Sequence, residues 1–233
     1  MTQPEGLLLV DKPRGWTSHD VVARARRALG RSVKVGHSGT LDPMATGLLI
    51  LLIGRATKAA ARYQALPKVY TGTIRFGVET DTGDLDGKVL KETPLPPALD
   101  EAGLRAAFAR HLGDCDMPVP RYSAVKHQGK PLYKYARQGI EVPEKVRRSR
   151  IHEWTLSGWA APEAAFRLRC GSGTYVRSLA ILLGGEFGCG ATLSTLRREE
   201  VGGFAVGSAV SIEKLDEAVR SPLPLKALEE PVA

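Results

Sequence analysis

The residues best placed to do chemistry lie in one stretch, Gly36-His37-Ser38-Gly39-Thr40-Leu41-Asp42-Pro43-Met44-Ala45-Thr46-Gly47. Three glycines in twelve residues allow backbone turns closed to other residue types and let a ligand come close. Asp42 precedes Pro43, which biases its backbone to an extended form and presents the carboxylate from a constrained loop. A carboxylate so held can serve as nucleophile, general base or metal ligand, or simply cap an Asp-Pro turn. His37 stands five residues before it.

A second constellation is Gly171-Ser172-Gly173-Thr174-Tyr175-Val176-Arg177. Free N–H groups at a helix start, with Arg177 in the first turn, suit an anion, either a phosphate or a protein carboxylate. The run lacks the third glycine of a dinucleotide fingerprint and is no Walker loop. Asp81-Thr82-Gly83-Asp84-Leu85-Asp86-Gly87 fails the EF-hand spacing and reads as a solvated acidic turn. The five histidines and three cysteines show no metal-ligand spacing, so no metal and no cofactor are expected.

The fourth constellation is electrostatic. Lys and Arg number 33 against 25 Asp and Glu, a net charge of +8. Residues 121–150 hold nine basic and two acidic side chains, a net of +7, so the remainder is nearly neutral. Tyr122, Tyr133 and Tyr135 are interleaved with those cations. Cations for phosphate and aromatic faces for unstacked bases suit RNA loops. Pro118, Pro120, Pro131 and Pro143 give the segment the look of an arm that orders on binding.

Several elements must position these residues. A strand is expected at Gly6–Val10, and a helix from a Thr17 or Ser18 cap to Leu29, with Gly30 as its stop. Strands are expected near 33–35, at 48–53, at 68–76, at 166–170 and at 193–196, with 36–47 irregular. Further helices are expected from an Asp100 cap to about Leu112, over about 175–183, and after a Ser211 cap. Strands mixed with a few helices, without regular βα alternation, point to an α+β fold. The longest apolar run has six residues, far below the ~18 of a membrane span. Three cysteines without a paired spacing suit a reducing, cytoplasmic setting.

In this order the motifs resemble those of the TruB family of tRNA pseudouridine synthases. The central match is the Gly36–Gly47 loop, supported by Asp11-Lys12-Pro13, Lys68-Val69-Tyr70 and Thr80-Asp81-Thr82-Gly83-Asp84. Tyr122-Ser123-Ala124-Val125-Lys126 and Tyr135-Ala136-Arg137-Gln138-Gly139 resemble the family's mobile insertion. Gly173-Thr174-Tyr175-Val176-Arg177 and Leu196-Arg197-Arg198 complete the set, which covers about residues 6–215.

The resemblance implies the pseudouridine-synthase fold, a large mixed sheet flanked by helices and loops. It implies isomerisation of uridine 55 in the tRNA T loop, without cofactor. The sequence itself shows no obvious apolar interaction stripe, so a monomer with no obligatory protein partner is expected. The resemblance makes Asp42 the nucleophile, paired with Arg177, and Tyr70 the tyrosine that stacks on the base and is implicated in removing its C5 proton. Tyr175 and Leu196 would line the base pocket, and His37 would fill the space left by flipped nucleotides. Lys12 and Asp84 are expected on the substrate, and Lys126, Lys130 and Arg137 on the RNA backbone. One catalytic domain is expected over 1–220, with the basic insertion at about 117–147 and a short tail at 221–233. No room is seen for the family's C-terminal PUA domain, and Asp116-Met117-Pro118-Val119-Pro120 departs from the usual Gln-x-Pro pattern ahead of Tyr122. Two other readings stay open from the residues alone: a non-catalytic RNA chaperone, and a phosphate-handling enzyme using the Gly171–Arg177 turn.

Overall fold

A computed structural model describes residues 4–30 and 32–223. In chain order the strands are β1 (Gly6–Lys12), β2 (Val35–His37), β3 (Thr46–Ile53), β4 (Lys68–Phe76), β5 (Val78–Thr80), β6 (Val89–Glu92) and β7 (Gly113–Pro118). The remainder are β8 (Lys126–His127), β9 (Lys130–Pro131), β10 (Val146–Ala160), β11 (Glu163–Cys170), β12 (Ala191–Val201), β13 (Phe204–Ala205) and β14 (Val210–Ser211). The α-helices are α1 (Ser18–Leu29), α2 (Ala60–Ala65), α3 (Glu101–Arg110), α4 (Leu132–Ala136), α5 (Val176–Glu186) and α6 (Leu215–Ala218). The fold is α+β, as the residue patterns predict. Two compact units divide the chain: Met1–Tyr70 with Leu196–Ala233, and Thr71–Thr195.

In the first unit the strand order is β14-β1-β3-β12. Antiparallel β1 covers one edge of β3 from Gly6↔Ile53 to Lys12↔Gly47. The other edge is shared: parallel β12 meets its start (Arg197↔Thr46, Arg198↔Gly47) and antiparallel β2 its end (Val35↔Ile53). Leu48 to Ile53 are all buried, which explains the unbroken apolar run: both faces of β3 are covered. Leu7, Leu9, Leu48, Ile50, Leu52, Tyr63 and Val201 make one core. Helix α1 begins with a capping box in which the Thr17 hydroxyl accepts the Asp20 N–H and the Asp20 carboxylate accepts the Thr17 N–H. It buries Ser18, Val21, Val22 and Ala25 at helical spacing.

In the second unit the order is β12-β4-β11-β10-β7, with β12 contributing its first half. Long β10 pairs antiparallel with β11 and β7. Helix α3, capped by the Asp100 carboxylate on the Gly103 N–H, buries Leu104, Ala107 and Phe108. Phe108 stacks on Trp154 of β10 with centroids 4.3 Å apart, a pairing worth about 1 kcal/mol beyond burial.

Several expectations shift. The strand near 33–35 lies at Val35–His37, and Thr46 and Gly47 already belong to β3, so only 38–45 is irregular. Leu112 lies beyond α3 and is exposed, because the helix stops at Arg110 and Gly113 (φ 88°) turns the chain into β7. Ser211 lies in β14, and the residue before α6 is Lys214, whose N–H bonds the Ser211 carbonyl. Strands β5 to β10, β13 and β14 are additional to the expected set. The basic segment holds a two-strand ladder and helix α4 rather than loops alone. The expected irregular tail starts with a bridge, since Leu7 and Leu223 exchange both backbone bonds at 2.8 and 2.7 Å; residues 224–233 lie outside the described part.

Candidate active site

The loop 38–45 has no regular structure, yet many of its backbone groups have defined partners. The Ser38 N–H bonds the Ile50 carbonyl at 3.0 Å, and the Ala45 N–H bonds the Asp42 carbonyl at 3.1 Å. Ser18 of α1 accepts the Leu41 N–H at 2.8 Å and donates back to the Leu41 carbonyl at 3.3 Å. The Pro43 carbonyl accepts the Gly15 N–H at 2.8 Å and the Lys12 ammonium at 3.5 Å. Arg198 donates to the carbonyls of Gly39 at 3.2 Å and Thr40 at 3.4 Å. Pairing of this kind is what a buried irregular backbone requires. Asp42 sits mid-loop, tied at both sides.

Lys12 has no exposed surface, and its ammonium also donates to the carbonyls of Pro13 at 3.0 Å and Trp16 at 2.7 Å. These bonds fasten the loop. Burial lowers its pKa to about 8; the Asp42 carboxylate opposes that fall, while Arg198 adds to it. His37 ends β2, and its Nδ1 accepts the Gly39 N–H at 3.2 Å. Burial first, then the Arg198 charge, push His37 below the ordinary histidine value. Tyr70 of β4 and Leu196 of β12 are both buried in this unit.

The second unit carries Arg177, Asp84, Tyr175 and the basic segment. Arg177 is 3% exposed. It donates to the carbonyls of Thr82 at 2.7 Å and Tyr122 at 2.9 Å, and its Nε lies 3.8 Å from the Asp84 carboxylate. Asp84 is buried and also accepts the Thr82 hydroxyl at 2.6 Å. The acidic turn is therefore not solvated at its centre: Asp84 bridges to Leu193 of β12, and the Thr80 hydroxyl donates to the Asp84 carbonyl. Asp84 packs against Arg177.

The Gly171–Arg177 turn does not form a phosphate cradle. The Tyr175 N–H points at the Met117 sulfur, 3.4 Å away. The space above Gly173 is filled by the Arg147 guanidinium, which a Cβ there would meet at 2.2 Å. A protein carboxylate, that of Asp84, does lie beside the Arg177 side chain. Lys126, Lys130 and Arg137 are all exposed, and Arg137 lies over the Tyr133 ring, 5.5 Å from its centroid.

Within the first unit the structure thus gathers Lys12, His37 and Asp42; within the second it gathers Arg177 and Asp84. Two supports were not among the expected site residues. Ser18 was legible only as a cap, though its place at the head of the buried 18, 21, 22, 25 stripe marks it as inward. Arg198 alternates with Leu196 on the buried face of β12, where an arginine must find polar partners.

Residues 26–176 match the TruB family pseudouridylate synthases, N-terminal domain. A tRNA pseudouridine synthase B of Opitutus terrae is 48% identical over 99% of this chain and 94% of its own length. One of Bordetella avium is 42% identical over 97% of this chain and 93% of its own length. One of Xanthomonas campestris pv. campestris is 46% identical over 98% and 73%. Among solved structures, a chain of a Cbf5-Nop10-Gar1 complex superposes with a TM-score of 0.70 at 24% identity, over 92% of this chain and 54% of that one; this likeness concerns the fold. The fold is that of the pseudouridine synthases. The chain belongs to the TruB family.

Proposed function

We propose that this chain isomerises uridine 55 in the T loop of tRNA to pseudouridine, with Asp42 as the covalent catalyst. The observation that carries the reading is the pinned loop: an aspartate held at mid-loop by Ser18, Lys12, Gly15 and Arg198. Family membership and the names of the relatives support the substrate.

The reaction breaks the C1′–N1 bond and makes a C1′–C5 bond. C5 loses a proton and N1 gains one, so no redox partner is needed. The carboxylate adds to C1′ of the sugar or C6 of the base and is released at the end. The target base must first leave its stack, which costs a few kcal/mol. Tyr70 would stack on the flipped base and take part in removing the C5 proton. Tyr175 and Leu196 would wall the pocket against water, which would otherwise intercept the intermediate. Arg177 would pair with Asp42, and His37 would occupy the space the flipped nucleotides vacate. Lys126, Lys130 and Arg137 would meet RNA phosphates. The same reading treats residues 1–220 as one catalytic domain, acting as a cytoplasmic monomer without cofactor.

The test is pseudouridine mapping by carbodiimide modification and primer extension on an unmodified tRNA transcript. Wild type should give a stop assigned to position 55, and Asp42→Ala should give none while still binding tRNA. Near-normal modification by Asp42→Ala would remove the assignment.

A second role as a tRNA-folding chaperone is favoured by the exposed cations of the basic segment. It predicts that Asp42→Ala still rescues tRNA folding.

A further inference from the structure

Arg198 is 1% exposed, an unusual place for a guanidinium. Its position follows from the β3–β12 register, which sets Arg198 beside Gly47. Gly47 has φ of +100°, and a Cβ there would stand 2.3 Å from the Arg198 carbonyl oxygen. Only glycine lets the two strands approach so closely.

From that position the guanidinium spreads over three carbonyls. Nε donates to Leu48 of β3 at 2.7 Å, Nη2 to Gly39 at 3.2 Å and Nη1 to Thr40 at 3.4 Å. Leu48 belongs to the rigid, fully buried strand; Gly39 and Thr40 belong to the loop. Gly39 has φ of +143°, a conformation L side chains rarely adopt, and its carbonyl is one of those the guanidinium holds. Arg198 therefore ties the approach to Asp42 directly to the sheet, two residues before the carboxylate. Lys12 and the Gly15 N–H hold the chain on the far side, at Pro43.

We propose that Arg198 is a positioning residue for Asp42: its buried guanidinium locks the Gly39 and Thr40 carbonyls to β3, so that the carboxylate stands in one orientation. The proposal rests on the reading of Asp42 as the covalent catalyst. Arg198 does not touch the substrate; it acts through the loop. A planar fork of five N–H donors can span three carbonyls, whereas a lysine ammonium keeps the charge and loses the span.

The experiment compares wild type, Arg198→Lys and Arg198→Ala on a tRNA transcript, separating kcat from KM. Misplacing a catalytic group by about 1 Å costs on the order of 100-fold, so Arg198→Ala should lose about that factor in kcat, with KM for tRNA within about twofold. Arg198→Lys should fall between wild type and Arg198→Ala. A folded variant with kcat within about twofold of wild type, or one in which only KM rises, overturns the proposal. If Arg198→Ala does not fold, Arg198→Lys decides on the same criteria.

Failure of wild type to make pseudouridine would sink the functional reading, not this one. The loop can then be read directly in the free protein. Amide exchange of residues 38–45 and the His37 imidazole titration are followed in Arg198→Lys. Faster exchange in the loop supports the brace, and unchanged exchange with an unchanged His37 titration overturns it.

Discussion

Two irregular, proline- and glycine-bearing segments carry most of the proposed function, and they are built in opposite ways. Loop 38–45 is an interior object. Two buried cations, Lys12 and Arg198, direct their hydrogen bonds to its carbonyls and to neighbouring ones. The segment 121–145 is a surface object. Its Lys126, Lys130 and Arg137 are exposed, and its internal order comes from a short ladder, helix α4 and backbone bonds such as Tyr133 N–H to the Ser123 carbonyl at 3.1 Å. Charge in the first segment fixes geometry; charge in the second faces outward, where the proposed function places RNA phosphates. Catalysis needs the former, since a carboxylate must be aimed, and RNA capture the latter, since phosphates are many and their placement is forgiving.

The largest way to break this contrast is at Gly47. Replacing it by alanine forces a strained φ and drives a methyl group into the Arg198 backbone. Destabilisation of about 3 kcal/mol is expected from the strain, with more from the clash, read by denaturant unfolding. A change below about 1 kcal/mol would mean that β3 and β12 part easily and that the loop's brace is soft.

The next largest effect concerns pH. Lys12 has its pKa lowered from 10.5 to about 8 by burial. Between those values the unfolded chain holds the proton and the native chain has released it. Native stability therefore gains as pH rises from about 8 to about 10.5, by roughly 3 kcal/mol from this group at ~1.36 kcal/mol per unit. Lys12→Met should remove that gain, and the difference between the two stability curves across this window isolates it. Parallel curves would place the ammonium in contact with water.

Ser18→Ala removes one donor and one acceptor from the Leu41 peptide, at a cost of about 1–3 kcal/mol. Thermal unfolding should show it, with a fall in kcat and an unchanged KM. Smallest in stability is the triple change of Lys126, Lys130 and Arg137 to glutamine, expected within about 0.5 kcal/mol of wild type. Its effect lies in binding: the log–log salt slope for tRNA should flatten by ~0.7–0.9 for each phosphate no longer neutralised. A full slope would show that other cations meet the phosphates.

Much of this was legible in the chain. Strand 68–76, the Thr17–Leu29 helix with its Gly30 stop and the Asp100 cap all follow from local patterns, because periodicity and capping act over a few residues. Long β10 was not legible. Its exposed, arginine-rich face is continuous with the basic segment, and two register shifts against β11 break the alternation that would mark a strand. Of the site, Asp42 and its loop were legible from glycine spacing and motif. The intramolecular partners of Lys12 and Asp84 were not, since a sequence records that a charge exists and not which way it faces. Arg198 stood in a recognised motif, yet its proposed role depends on a parallel register that sets it beside Gly47, distant in the chain.

That separation has a consequence for the timing of synthesis. Thr40 and the guanidinium that holds it are 158 residues apart. At ~5–20 residues per second, about 8–30 s pass between the two leaving the ribosome's catalytic centre. Through that interval β3 lacks its parallel neighbour and the aspartate loop lacks its brace. If Asp42 is the catalyst and Arg198 its brace, as proposed, the nascent chain holds the aspartate early and gains the means of aiming it only once β12 has been made.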